Sequence, residues 1–134
     1  MLVPIPWQPD LKLRPETLAL LVAASKRVGR NLYLYGSNSA WRSYRQQSAL
    51  YVAYKNGTGN IASNPDIGPR QHMRGAAFDL RDTSSRVQRA CKAVGLIRDP
   101  AEAWHWNHPN WRNMPVIETD VKPDTERRRR TWLG

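Results

Sequence analysis

The run His72-Met-Arg-Gly-Ala-Ala-Phe-Asp79 and, further along, Glu102-Ala-Trp-His105 constrain this chain more than any other feature. Two histidines and two carboxylates at these spacings suit a metal-dependent hydrolase, and a metal site requires both segments to reach one point in the fold. Gly75 can turn the chain between His72 and Asp79, and Ala77, two residues before Asp79, leaves room on the same face of a strand. Catalytic zinc typically takes three ligands from His, Asp and Glu and keeps a fourth position for water, whose pKa falls to about 7. His72, Asp79 and His105 meet that count, and Glu102 is the candidate general base.

At 134 residues the chain suits one domain, 1–134, and is short for a catalytic domain with a separate binding module. Its 21 basic and 11 acidic residues leave a formal charge of +10, which draws it to polyanions such as nucleic acid, anionic membrane or acidic wall polymers. The basic tail, residues 121–134 with arginine at 127–130, carries three of those charges, so the basicity is spread over the domain. A diffuse field favours adhesion to anionic envelope polymers over nucleic-acid readout, for which no reading element is recognisable.

Cys91 is the single cysteine, which excludes an internal disulfide and a cysteine-based structural zinc site. Its helical spacing with Val87 and Val94 predicts a small buried residue. The N-terminus has no basic leader region and no long apolar core, and Pro4, Pro6 and Pro9 interrupt it, so neither a signal peptide nor a membrane span is expected. A monomer is expected.

Residues 1–14 read as an extended arm that packs Trp7 and Leu11 on the domain. Pro15 suits the first turn of a helix whose apolar stripe is Leu18, Leu21, Val22, Ser25 and Val28, with Gly29 ending it. Residues 31–35 alternate like a strand. Ser43-Tyr-Arg-Gln46 fits a capping box, so a second helix begins there and runs to Asn56-Gly57, holding Arg42 just before its N-terminus. Residues 58–71 predict an ordered loop passing over the site.

Residues 76–81 read as a strand with Ala77 and Asp79 on one face and Phe78 and Leu80 on the other, residues 83–94 as a third helix capped by Gly95, and residues 104–107 as a last strand with His105 and the tryptophans on opposite faces. Strict alternation puts Glu102 on the wrong face for His105. Its assignment therefore requires a turn or bulge near Pro100. The expected architecture is α+β: a small antiparallel sheet with two to three helices and the zinc cleft across the sheet.

These residues resemble the zinc peptidases of the D-alanyl-D-alanine carboxypeptidase (VanY-type) family, which includes the L-alanyl-D-glutamate endopeptidases used as phage endolysins. The family pattern is Ser-x-His-x-x-Gly-x-Ala-x-Asp, preceded by Tyr-Arg-Ser-x-x-x-Gln and followed by Glu-x-Trp-His. Trp41-Arg42-Ser43 with Gln47, then His72 to Asp79, then Glu102-Ala-Trp104-His105 match in that order over about half the chain. The resemblance implies that His72, Asp79 and His105 bind Zn2+, that Glu102 moves the proton, and that Arg42 binds the scissile carbonyl oxygen. Gln47 then orders the Arg42 loop.

Two positions depart from the pattern: Arg70 stands in place of the serine before His72, and Trp41 follows Ala40 rather than glycine. Arg70 adds a cation near the expected substrate pocket, for which Gln47, Ser43, Arg70 and Trp104 are the candidates. Trp106 suits core packing, and His108 suits a surface or supporting role rather than a ligand. The implied activity is cleavage of a peptidoglycan stem peptide by an endolysin-like L-alanyl-D-glutamate endopeptidase, made in the host cytoplasm and acting in the cell wall or periplasm after release. The alternatives are a D-alanyl-D-alanine carboxypeptidase, or a non-catalytic module on the same fold holding wall polymer or nucleic acid. The intact Glu102 argues against the module.

Overall fold

Pro15 starts the first helix as its fixed φ and missing N–H allow, and Gly29, at φ 91°, stops it in the left-handed region. The computed structural model describes residues 1–118; the basic tail, 121–134, lies outside them. In chain order the elements are β1 (Val3–Ile5), β2 (Gln8–Leu13), α1 (Pro15–Val28), α2 (Tyr44–Lys55), β3 (Ala77–Asp79), α3 (Ser85–Ala93), β4 (Ile97–Asp99) and β5 (Glu102–Asn107). Short 3-10 turns occupy His72–Arg74 and Trp111–Asn113. The chain is α+β, with three helices and two small antiparallel sheets, a β1-β2 hairpin and a three-stranded sheet ordered β3-β5-β4.

The N-terminal arm of the sequence reading is in fact this hairpin. Its chain reverses at Pro6 and Trp7, burying Ile5, Leu11 and Leu13 while Pro4 and Pro9 stay exposed. Proline lacks the N–H a central strand needs, so a two-stranded ribbon is where these prolines are tolerated. Trp7 does dock on the domain, donating its indole N–H to the Leu32 carbonyl at 3.0 Å.

Residues 31–35 alternate as expected, with Leu32 and Leu34 buried and Tyr33 and Tyr35 exposed, but they form no regular strand. A single bridge, Leu34 with Leu80, joins them to the chain end of β3. β4 was not anticipated, because its three residues include a charged pair and an Ile97 that is half exposed.

One apolar core gathers Leu21, Val28, Phe78, Val87, Cys91 and Trp106 between the helices α1 and α3 and the three-stranded sheet. Phe78 and Trp106 face each other across β3 and β5, and both are fully buried. Burying each contributes roughly 2–3 kcal/mol. Because side chains alternate along a strand, the same pairing directs Asp79 and His105 to the other side of the sheet. By contrast α2 buries only Gln47. That helix is held by its cap and by the site, not by a hydrophobic face.

Candidate metal centre

The β3-β5 register sets Asp79 directly opposite His105. His72 reaches them from its 3-10 turn, which leaves through Gly75 at φ 68°. A Cβ at Gly75 would lie 3.0 Å from Leu2 Cδ2 and 3.2 Å from the Arg14 backbone N, so the turn needs glycine for both its dihedral and the close passage of the N-terminal hairpin. The turn is pinned there by Arg14 N–H donating to the Gly75 carbonyl at 3.1 Å.

His72, Asp79 and His105 are all buried. His72 Nε2 lies 3.3 Å from both His105 Nδ1 and Asp79 Oδ1, and the latter two are 3.1 Å apart. The far ring nitrogens decide what meets in that triangle. His72 Nδ1 sits 2.8 Å from the Ala40 carbonyl, which can only accept, so this nitrogen carries the hydrogen. His105 Nε2 sits 2.8 Å from Asn107 Oδ1 and donates in the same way. With both rings neutral, the inner nitrogens are thereby left with lone pairs aimed at each other and at a carboxylate oxygen. Three electron-rich atoms this close in a buried place are stable only with a proton or a metal ion shared among them, and the group could hold a metal ion.

Charge around the triangle acts in the same sense. Burial alone would raise the Asp79 carboxyl, but His72 and His105 hold it well below the ordinary carboxylate range. Burial, reinforced by Arg42, lowers His72 and so favours its neutral ring. Burial is the largest influence on His105 and opposes its charge, but the hydrogen bond and charge of Asp79, with Asn107 and Glu102, together outweigh it and raise the ring.

Arg42 stands at the edge of the cluster. The Ser43 cap begins α2, with Ser43 Oγ accepting from Gln46 N–H and Gln46 Oε1 accepting from Ser43 N–H, and this places Arg42 immediately outside the helix. Its backbone N–H donates to the His72 carbonyl at 3.2 Å. Its guanidinium donates to the Asn38 carbonyl at 2.6 Å and to Gln47 Oε1 at 3.1 Å, and reaches Asp79 Oδ2 at 3.5 Å. Gln47 Nε2 in turn donates to the Ser63 carbonyl at 3.0 Å, tying the loop of residues 58–71 to the same helix.

Glu102 Oε1 approaches His105 Nδ1 to 3.9 Å. The β4-β5 ladder makes this possible: Arg98 pairs with Trp106 but the next residue, Asp99, pairs with Glu102, so residues 103–105 bulge out of register. Partial burial raises the Glu102 carboxyl, and Asp79 and Asp99 add to the rise while His105 opposes it. The same irregularity separates the tryptophans, for Trp106 is in the core while Trp104 is 42% exposed.

The structure thus brings His72, Asp79, His105, Glu102, Arg42 and Gln47 together. The Ser43 hydroxyl is engaged in its cap, Arg70 lies beside Arg74, and His108 Nδ1 accepts from the Asn110 N–H. Asn107 and Asn38 were overlooked in the sequence. A same-face partner two residues after a strand histidine was the available signal for Asn107. Comparison with family models, with curated proteins and with solved structures gave no match. The chemistry of the site rests on its own atoms. Among the described residues no helix is long and apolar enough to cross a membrane.

Proposed function

We propose that this chain is a zinc-dependent peptidoglycan peptidase that cuts a stem-peptide bond, as an endolysin-like L-alanyl-D-glutamate endopeptidase. The observation that carries the metal assignment is the triangle of 3.1 to 3.3 Å among His72 Nε2, Asp79 Oδ1 and His105 Nδ1. Ligands about 2.0–2.1 Å from a tetrahedral zinc stand about 3.3 Å apart. Two imidazoles with one carboxylate favour zinc over magnesium or calcium, which take oxygen ligands.

When bound, zinc supplies a Lewis acid that lowers the pKa of water to about 7 and polarises a carbonyl. The rest of the reaction falls to side chains. Glu102 takes the proton from the attacking water and hands it to the departing amine, and its raised affinity for a proton suits the first half of that exchange. Arg42 stabilises the negative charge growing on the carbonyl oxygen, its guanidinium already oriented by the Asn38 carbonyl and Gln47. The substrate class is supported by the three ordered motifs shared with the VanY-type peptidases, and partial exposure of Trp104 beside the site suits a peptide or sugar contact.

Digestion of purified muropeptides with zinc-loaded protein, followed by mass spectrometry of the new termini, tests this reading. New C-terminal L-alanine and N-terminal D-glutamate are expected. Release of free D-alanine alone makes the enzyme a carboxypeptidase instead, and wall binding with no cleavage makes it a binding module.

A further inference from the structure

Arg74 and Arg112 stand over Trp111, and Arg14 and Arg70 adjoin Arg74, with no carboxylate pairing any of the four among the described residues. Arg112 covers the Trp111 ring at 4.4 Å and Arg74 stands 5.6 Å from its centroid. Arg74 donates to the carbonyls of Pro69 and Met114, at 3.0 and 2.7 Å. Arg14 donates to the carbonyls of Arg74 and Pro115, both at 2.6 Å. Such partners satisfy hydrogen bonds and leave the charge uncompensated. Among the described residues, no ion pair involves Arg14, Arg70, Arg74 or Arg112.

Arg70 is the most exacting member. It is the one non-glycine residue with positive φ among those described, at 57°, in the left-handed region that favours glycine. Its Nε is buried and has no hydrogen-bond partner. Arg70 and Arg74 share one tight turn, the Arg74 backbone N–H donating to the Arg70 carbonyl at 3.1 Å, so two cations leave the chain side by side. An unsatisfied buried donor and a group of cations with no carboxylate partner among the described residues are both met by one multivalent oxyanion.

We propose that the surface formed by Arg14, Arg70, Arg74 and Arg112 around Trp111 binds the phosphate groups of an anionic envelope polymer. Nucleic acid fits less well, because single-strand binders stack bases on open aromatic rings and here the ring is already occupied by guanidinium. The site lies one turn from His72, so a polymer held there keeps the metal centre at the wall. Its existence does not depend on the peptidase reading.

Binding of the full chain to inorganic polyphosphate, a probe with phosphates and no bases, tests the proposal, with a single-stranded oligonucleotide of equal charge in parallel. Arg70→Gln with Arg112→Gln removes two cations whose side chains make no hydrogen bond among the described residues. This double variant is expected to weaken polyphosphate binding at least tenfold, with an unchanged circular dichroism spectrum. Arg27→Gln with Arg89→Gln, two exposed arginines on α1 and α3, removes the same charge elsewhere and is expected to change affinity less than threefold. Equal losses in the two double variants overturn the proposal in favour of diffuse attraction. Tenfold tighter binding of the oligonucleotide than of polyphosphate overturns it in favour of nucleic acid.

Discussion

Oε1 of Glu102 lies 3.9 Å from Nδ1 of His105, although regular strand alternation would send these side chains, three positions apart, to opposite faces of β5. The slip between Arg98 and Asp99 in the β4-β5 ladder reconciles the two. A bulge re-aims a side chain at small cost, and here it turns a half-exposed carboxylate toward a buried cluster.

Glu102→Gln separates proton transfer from metal binding. Zinc content should stay near one ion per chain, while the rate of muropeptide cleavage falls about 10²- to 10⁴-fold, the range for loss of a general base. Loss of zinc along with activity would make the carboxylate a ligand rather than a base.

Asn107 holds the outer nitrogen of His105, so its removal tests the tautomer argument directly. Asn107→Ala should weaken zinc affinity about 10- to 100-fold, read by competition with a chromogenic chelator. Asn107→Asp, which keeps the acceptor, should bind at least as tightly as the wild type.

Metal binding should depend on pH through His105. Its affinity for protons is raised in the fold, so a proton there competes with zinc over a pH range reaching above the ordinary histidine value. Asp79 and His72 are lowered and compete little. Zinc affinity should therefore fall as the solution is acidified through the His105 titration. Calorimetry in two buffers of different ionisation enthalpy should report proton release on zinc binding that grows as the pH is lowered through that titration; affinity independent of pH would refute the assignment of His105.

Cys91 is fully buried on α3, and burial pushes its thiol up to about 12. Only the thiolate is nucleophilic, so the native protein should resist a chromogenic disulfide reagent at pH 8 and react once denatured. Rapid labelling of the native chain would mean that α3 opens readily.

The helices were legible because their signals are local. Pro15 and Gly29 bracket α1, and the hydroxyl of Ser43 with the amide of Gln46 begin α2, each acting within a few residues of itself. The strands were less so. Whether residues 3–13 form an arm or a hairpin depends on which backbone groups lie opposite, and β4 is exposed and charged enough to look like a loop. Residues 31–35 carry a strand pattern yet find one bridge to Leu80, since alternation records burial and not the length of a ladder.

By itself the sequence determined the donor types and their spacing: two imidazoles, a carboxylate, a glycine that turns between them and a capped helix that presents Arg42. Only the tertiary structure decided that His72 Nε2, Asp79 Oδ1 and His105 Nδ1 meet within 3.3 Å, that the Ala40 carbonyl and Asn107 fix which nitrogens face inward, and that Glu102 is brought round by a bulge. The reason is physical. A residue's chemistry travels with its side chain, but the direction of a lone pair is set by the hydrogen bond on the far side of the ring, and that partner is chosen by packing between segments distant in the chain.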